Sequence, residues 1–122
     1  MKVRGIRGAT TVERNAEEDI LAATIELLSQ IVEENGMVPD DICSVWVTST
    51  HDLDATFPAR AIRQMAGWEL VPLMCSLEIP VKNSLERCIR LMVHYNTDKS
   101  QQDIRHVYLN NAKALRPDLH TS

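Results

Sequence analysis

Three arginines stand beside or inside apolar runs: Arg7 in RGIRGATTV, Arg90 in RCIRLMV and Arg105 in IRHVYL. A charge meant only for solvent is served equally well by the flexible stem of lysine, yet nine of the thirteen basic residues are arginine. The planar guanidinium presents a rigid fork of donors that matches a carboxylate or phosphate. The formal net charge of −4 argues against a diffuse basic surface for nucleic acid. These arginines therefore read as individually placed groups for a small, multiply charged anion, with a structural salt bridge as the alternative at each position.

Other chemistries find less support. His51, His94, His106 and His120 show no HxxxH or His/Cys pairing at ligand spacing, and HDLD at 51–54 reads as a polar loop, so no metal is expected. Gly5 and Gly8 lack both a GKS/T ending and a GxGxxG pattern, which leaves no nucleotide cradle; they allow close approach of backbone or ligand, or mark a β-bulge, the simpler reason. Cys75 could be a nucleophile, but nothing places a base beside it, and small buried cysteine is the default. Glu78 is the lone acid in a stretch that otherwise looks pocket-like. Arginines, a glutamate and tyrosines without a nucleophile suit a reaction that needs positioning and charge complementarity more than proton transfer.

The elements that must hold these groups fit one domain spanning residues 1–122. Folding alone at this length buries only about two-thirds of the unfolded surface, so a closed oligomer is a natural gain. The start MKVRGIRG lacks an apolar signal region, and no apolar run approaches the roughly 18 residues of a membrane span. Cys43, Cys75 and Cys88 form an odd set without CxxC spacing, which fits a reducing cytosol.

Val3 to Val12 reads as an extended segment. Asn15 and Glu18 have capping-box spacing, and a helix near 16–34 follows, with Ile20, Leu27, Leu28 and Ile31 on one face, Leu21, Ile25 and Val32 widening it, and Asn35-Gly36 as the stop. Ile42 to Ser49 is a β-branched run apolar on both sides, which predicts an interior strand. Pro58 opens a short helix, PARAIRQMA, ended by Gly67; Ala61, Ile62 and Met65 face inward, and Arg60 and Arg63 lie outside. Leu70 to Cys75 is a strand that Pro72 pushes toward an edge, and Ser76 to Ser84 a loop. Leu85 to Tyr95 fits helix and strand alike. Arg105 to Leu109 is a last short strand, and about 113–122 a loosely held tail. This order predicts an α/β two-layer fold, a mixed sheet with helices packed on one face.

RGIRGATTVE, FPARAIRQMAGW, Cys75 to Glu78 (CxxE), ERCIR ending in Arg90, TDKSQQDIRHVYL and LRPDL together resemble the AroH-type, monofunctional chorismate mutases, in order along the whole chain. The resemblance implies conversion of chorismate to prephenate in phenylalanine and tyrosine biosynthesis, without metal, cofactor or covalent intermediate. It also implies a homotrimer whose sheets form a pseudo-barrel core with active sites between subunits, and it turns Leu85 to Tyr95 into a strand. By the same resemblance Arg90 meets the substrate's ether oxygen and a carboxylate. Arg7 binds from the opposite side, Tyr108 donates to a carboxylate, and Glu78 accepts from the ring hydroxyl with Cys75 close by. Phe57 walls the ring, Arg60 and Arg63 steer the dianion at the cleft mouth, and Leu115 and Arg116 belong to a mobile tail that closes over the ligand. One departure is Arg60, where the best-known family form has lysine. A non-catalytic trimer that senses an aromatic-pathway dicarboxylate is the alternative, because fold alone does not dictate activity.

Overall fold

The computed structural model describes residues 1–115. Five strands form one mixed sheet in the order β3-β2-β4-β1-β5. Strand β1 (Lys2–Thr11) runs antiparallel to β4 (Cys88–Thr97) over its full length, from Lys2 opposite Thr97 to Thr11 opposite Cys88. Strand β2 (Ile42–Ser49) is antiparallel to β4 on the other side and parallel to the edge strand β3 (Leu73–Leu77). The two-residue β5 (Val107–Tyr108) closes the far edge, parallel to β1.

Period-two burial explains why the ambiguous segment is a strand. Ile89, Leu91, Val93 and Tyr95 are buried on β4, and Arg90, Met92 and His94 between them face the other way.

Helices α1 (Glu17–Asn35) and α2 (Ala59–Arg63) share the core with one sheet face: Ile20, Leu27, Leu28, Ile31 and Ile62 pack with Ile6, Val45, Val47 and Val93. The expected stripe on α1 is present, except that Ile25 is exposed. The stop is as expected too, with Gly36 left-handed at φ 62°. The capping box does not form. Ala16 is the N-cap, without a side-chain bond, and Asn15 instead ties down the 54–55 turn: its Oδ1 accepts from the Asp54 and Ala55 amides, and its Nδ2 donates to Asp54.

The bulge expected at Gly5 or Gly8 is absent, since the β1–β4 register runs unbroken. Gly8 instead permits close approach: a Cβ there would stand 2.6 Å from Ile31 Cδ1 and 3.2 Å from Leu27 Cδ1. The irregularity lies in β2, between Ile42 and Ser44. It brings Ile42 into the core beside Val45 and Val47 and leaves Trp46 on the opposite, more open face.

Shorter elements shift at their ends. Helix α2 stops at Arg63, well before Gly67, and β3 starts only after Pro72 but continues through Leu77. The last strand shrinks to Val107–Tyr108, followed by a 3-10 helix over Asn110–Ala114, so the expected tail begins as ordered structure; residues 116–122, with Arg116, lie outside the described residues. No helix among the described residues is long and apolar enough to cross a membrane.

Candidate active site

The face of the sheet away from the helices carries the charged groups. One rung crosses all five strands: Ser76 on β3, Thr48 on β2, Arg90 on β4, Ala9 on β1 and Tyr108 on β5 are successive partners. On the next rung Arg7, Met92, Trp46 and Met74 stand in line. Side chains on one rung are about 4.5–5.5 Å apart at Cβ, so two arginines on neighbouring rungs of adjacent strands share a small space. Ala9, fully buried between Arg90 and Tyr108, contributes only a methyl, and its smallness leaves room above it.

That room is a cavity of about 310 Å³ lined chiefly by Arg7, Thr48, Glu78, Arg90, Tyr108 and Leu115, with Trp46 and Met92 as apolar wall. Glu78 follows the end of β3, where its amide donates to the Ser49 carbonyl at 3.0 Å. Its carboxylate meets Arg90 in a two-point pair: Arg90 Nε donates to Oε2 at 2.6 Å and Nη2 to Oε1 at 2.7 Å. The Thr48 hydroxyl also donates to Oε2. The hydrogen bonds from Arg90 outweigh partial burial and, with Thr48, hold the Glu78 carboxyl below its ordinary range. The same pairing raises Arg90, which therefore stays cationic.

A guanidinium has five N–H donors, and Glu78 takes two, so about three remain to face a ligand. Among the described residues no carboxylate pairs with the Arg7 guanidinium. Its backbone amide is held by His106 Nδ1 at 2.9 Å, which anchors the strand while the side chain stays available. Two cations and one anion thus converge with a phenol on one cavity. The net charge is positive, suited to an anion with more than one acidic group.

The remaining expected residues lie elsewhere. Phe57, Arg60 and Cys75 line a second, open hollow of about 630 Å³ beside β3 and the start of α2. Cys75 pairs with Val47, whose side chain enters the helix-side core, so Cys75 points to the face opposite Glu78; within one subunit the expected closeness of these two is not met. Arg60 is engaged, at 3.1 Å from Glu17 and 2.7 Å from the Thr56 hydroxyl. Phe57 is 66% exposed, an unusual state for the chain's single phenylalanine. Arg63 is exposed at the end of α2 and lines neither hollow. Arg105, the third arginine in an apolar run, reaches Glu34 at 4.0 Å on the surface.

Thr48, Trp46 and Met92 were not expected. Each alternates with a buried residue on its strand, a signal that becomes readable only once β2 and β4 are paired.

Among the described residues that line the first cavity there is no cysteine or serine. Cys88 is buried, and loss of solvent pushes its thiol up to about 11. Among the described residues no group of three or more His, Cys, Asp or Glu side chains could hold a metal ion. Asp52 of the HDLD segment is used internally: despite partial burial its carboxyl is held low by the Thr50 hydroxyl and by the Arg87 amide at 2.9 Å.

Known proteins resemble this chain along most of its length. Residues 3–119 match the family described as chorismate mutase type I. Chorismate mutase AroH of Bacillus subtilis (strain 168) is 50% identical over 119 residues, covering 98% of this chain and 94% of the relative. Chorismate mutase AroH of Thermus thermophilus is 48% identical over 121 residues, with 98% of each chain covered. Among solved structures, a chorismate mutase from Clostridium thermocellum superposes with a TM-score of 0.89 at 55% identity, covering 91% of this chain and 98% of that one.

Proposed function

The chain belongs to the chorismate mutase type I family, and from that premise we infer that the cavity between Arg7, Glu78, Arg90 and Tyr108 is where it rearranges chorismate to prephenate. The enzyme is an isomerase of aromatic amino acid biosynthesis. The observation that carries the assignment of the site is the Arg90–Glu78 pair, which fixes a permanent cation at the cavity floor with donors to spare.

Chorismate is a dicarboxylate carrying an ether and a ring hydroxyl. Its rearrangement breaks a C–O bond as a C–C bond forms, within one molecule. No proton changes hands, so the protein's task is to select a folded conformer and to stabilise the ether oxygen as it becomes electron-rich. Arg90 directs its remaining N–H groups at that oxygen and at the nearby carboxylate. Arg7, one rung away, holds the substrate from the other side, and the Tyr108 hydroxyl donates to a carboxylate. Glu78 accepts from the ring hydroxyl. Conformer selection of this kind lowers a barrier by several kcal/mol, up to roughly 7–11 in well-oriented systems. One fixed donor at a developing oxyanion is worth on the order of 10²–10³ in rate.

The site as one subunit presents it is half a site. Phe57 and Arg60 border a different hollow, and the sheet face around Trp46 (43% exposed) and Met74 (60% exposed) has no cover from its own helices. A trimer in which the second hollow of one subunit, with Phe57, Arg60 and Cys75, meets the first cavity of its neighbour, Arg63 lying outside the hollow at the mouth of the cleft, accounts for both facts. In that arrangement Leu115, which lines the first cavity, closes over the ligand at the end of a single 1–122 domain. The cytosol is the compartment that suits three free cysteines and a pathway of small metabolites.

The direct test is spectrophotometric. Purified protein given chorismate, with no metal or cofactor added, is expected to abolish the cyclohexadiene absorbance and yield prephenate. Binding without turnover would instead favour a sensor.

A further inference from the structure

We propose that Thr48 is a positioning residue for the rearrangement, determining which oxygen of Glu78 is presented to the substrate. The proposal rests on the chorismate reading above and adds to it a residue that the arginine-centred account leaves out.

Thr48 stands directly across from Arg90 on the interior strand β2, half-buried on the cavity side. Both residues converge on one carboxylate. Glu78 Oε2 accepts from the Thr48 hydroxyl and from Arg90 Nε, at 2.6 Å for the latter, whereas Oε1 accepts only from Arg90 Nη2, at 2.7 Å. An ionised carboxylate only accepts, so the direction of the threonine bond is settled. Each carboxylate oxygen offers about two lone-pair positions. Those of Oε2 are both filled, and one on Oε1 remains for the ring hydroxyl.

The terminal torsion of a glutamate is broad and two-fold and arginine has a rotamer-rich stem, so the two-point pair aligns the two groups with each other but leaves them free to tilt together. A hydroxyl on a β-branched side chain, stiff at χ1 and embedded in an interior strand, supplies the missing fixed point. Because Arg90 is bound edge to edge with that carboxylate, any tilt of Glu78 moves the donors aimed at the ether oxygen. Thr48 therefore acts on the reacting atoms through Glu78 and Arg90 without touching the substrate itself.

Thr48→Val removes the hydroxyl while keeping shape and branching; Thr48→Ser keeps the hydroxyl. Measured on the full-length protein, Thr48→Val is expected to lower kcat about 10-fold, the order expected for one lost bond to a charged group. KM is expected to change less than about 3-fold, because the effect lies on orientation more than on binding. Thr48→Ser is expected to remain within about 3-fold of the parent in kcat. In a Glu78→Ala background Thr48→Val is expected to change kcat less than about 2-fold, since the residues act as one unit.

A parental kcat in Thr48→Val, equal losses in the valine and serine variants, or independent losses in the Glu78→Ala pair would each overturn the proposal. If valine prevents folding, judged by circular dichroism, Thr48→Ala carries the same test. The two readings fail separately. A parent protein that leaves chorismate unchanged removes the assigned reaction, whereas an active parent with an equally active Thr48→Val removes only the role of Thr48.

Discussion

The Glu78 carboxylate lies along the Nε–Nη2 edge of Arg90, at 2.6 and 2.7 Å, with the guanidinium side chain half exposed and the carboxylate side chain 16% exposed. The acid thus reaches from the end of β3 across β2 to orient a base on β4, and the free edge of the cation is turned to the cavity. Arg90 is positioned before any ligand arrives.

The pair carries a pH signature in stability. Glu78 is held below its ordinary value, chiefly by Arg90, so it binds fewer protons when folded than when unfolded near the usual carboxylate pKa. Its stabilising contribution is therefore complete above about pH 5 and is lost as the pH falls through the depressed folded value. Urea unfolding of the parent and Glu78→Gln across pH 3–7 is the measurement. The stability gap between them is expected to be constant at neutral pH and to shrink with acid; a gap independent of pH would contradict the pairing.

Gly8 is predicted to resist substitution for packing reasons. A methyl there would meet Ile31 Cδ1 at 2.6 Å in a fully buried contact. Gly8→Ala is expected to destabilise by about 1–3 kcal/mol, the usual cost of overpacking a core. Denaturant titration would show a lower midpoint with an unchanged slope. An unchanged midpoint would mean that α1 can withdraw from β1 freely.

The composite cleft proposed above would require oligomers. Sedimentation equilibrium is expected to give three times the 13.8 kDa chain mass. A monomer that still turns over chorismate would show that Phe57 and Arg60 are not needed from a neighbour.

Legibility in the sequence followed the range of the forces involved. The α1 stripe of Ile20, Leu27, Leu28 and Ile31 was readable because helical spacing is local, as was the Gly36 stop. Asn15 has cap spacing but bonds elsewhere, because its partners, the amides of Asp54 and Ala55, are distant in sequence. Leu85 to Tyr95 stayed undecided by periodicity, since Cys88, Ile89 and Met92 suit either element, and resemblance settled it. Arg7 and Arg90 were visible as arginines in apolar runs, but so was Arg105, which proved to be a surface group beside Glu34. The role proposed for Glu78 rests on resemblance. The placement of Cys75 on the opposite face and the convergence of Thr48 on Glu78 depend on cross-strand register, which no local pattern encodes.

The proposed stabilisation of the ether oxygen by a fixed guanidinium at position 90 is read from kcat of a folded Arg90→Lys protein. Lysine retains the charge but can neither pair edge to edge with Glu78 nor keep a planar set of donors on the substrate. A fall in kcat on the order of 10²–10³ with circular dichroism unchanged is expected. Turnover within a few-fold of the parent would contradict it.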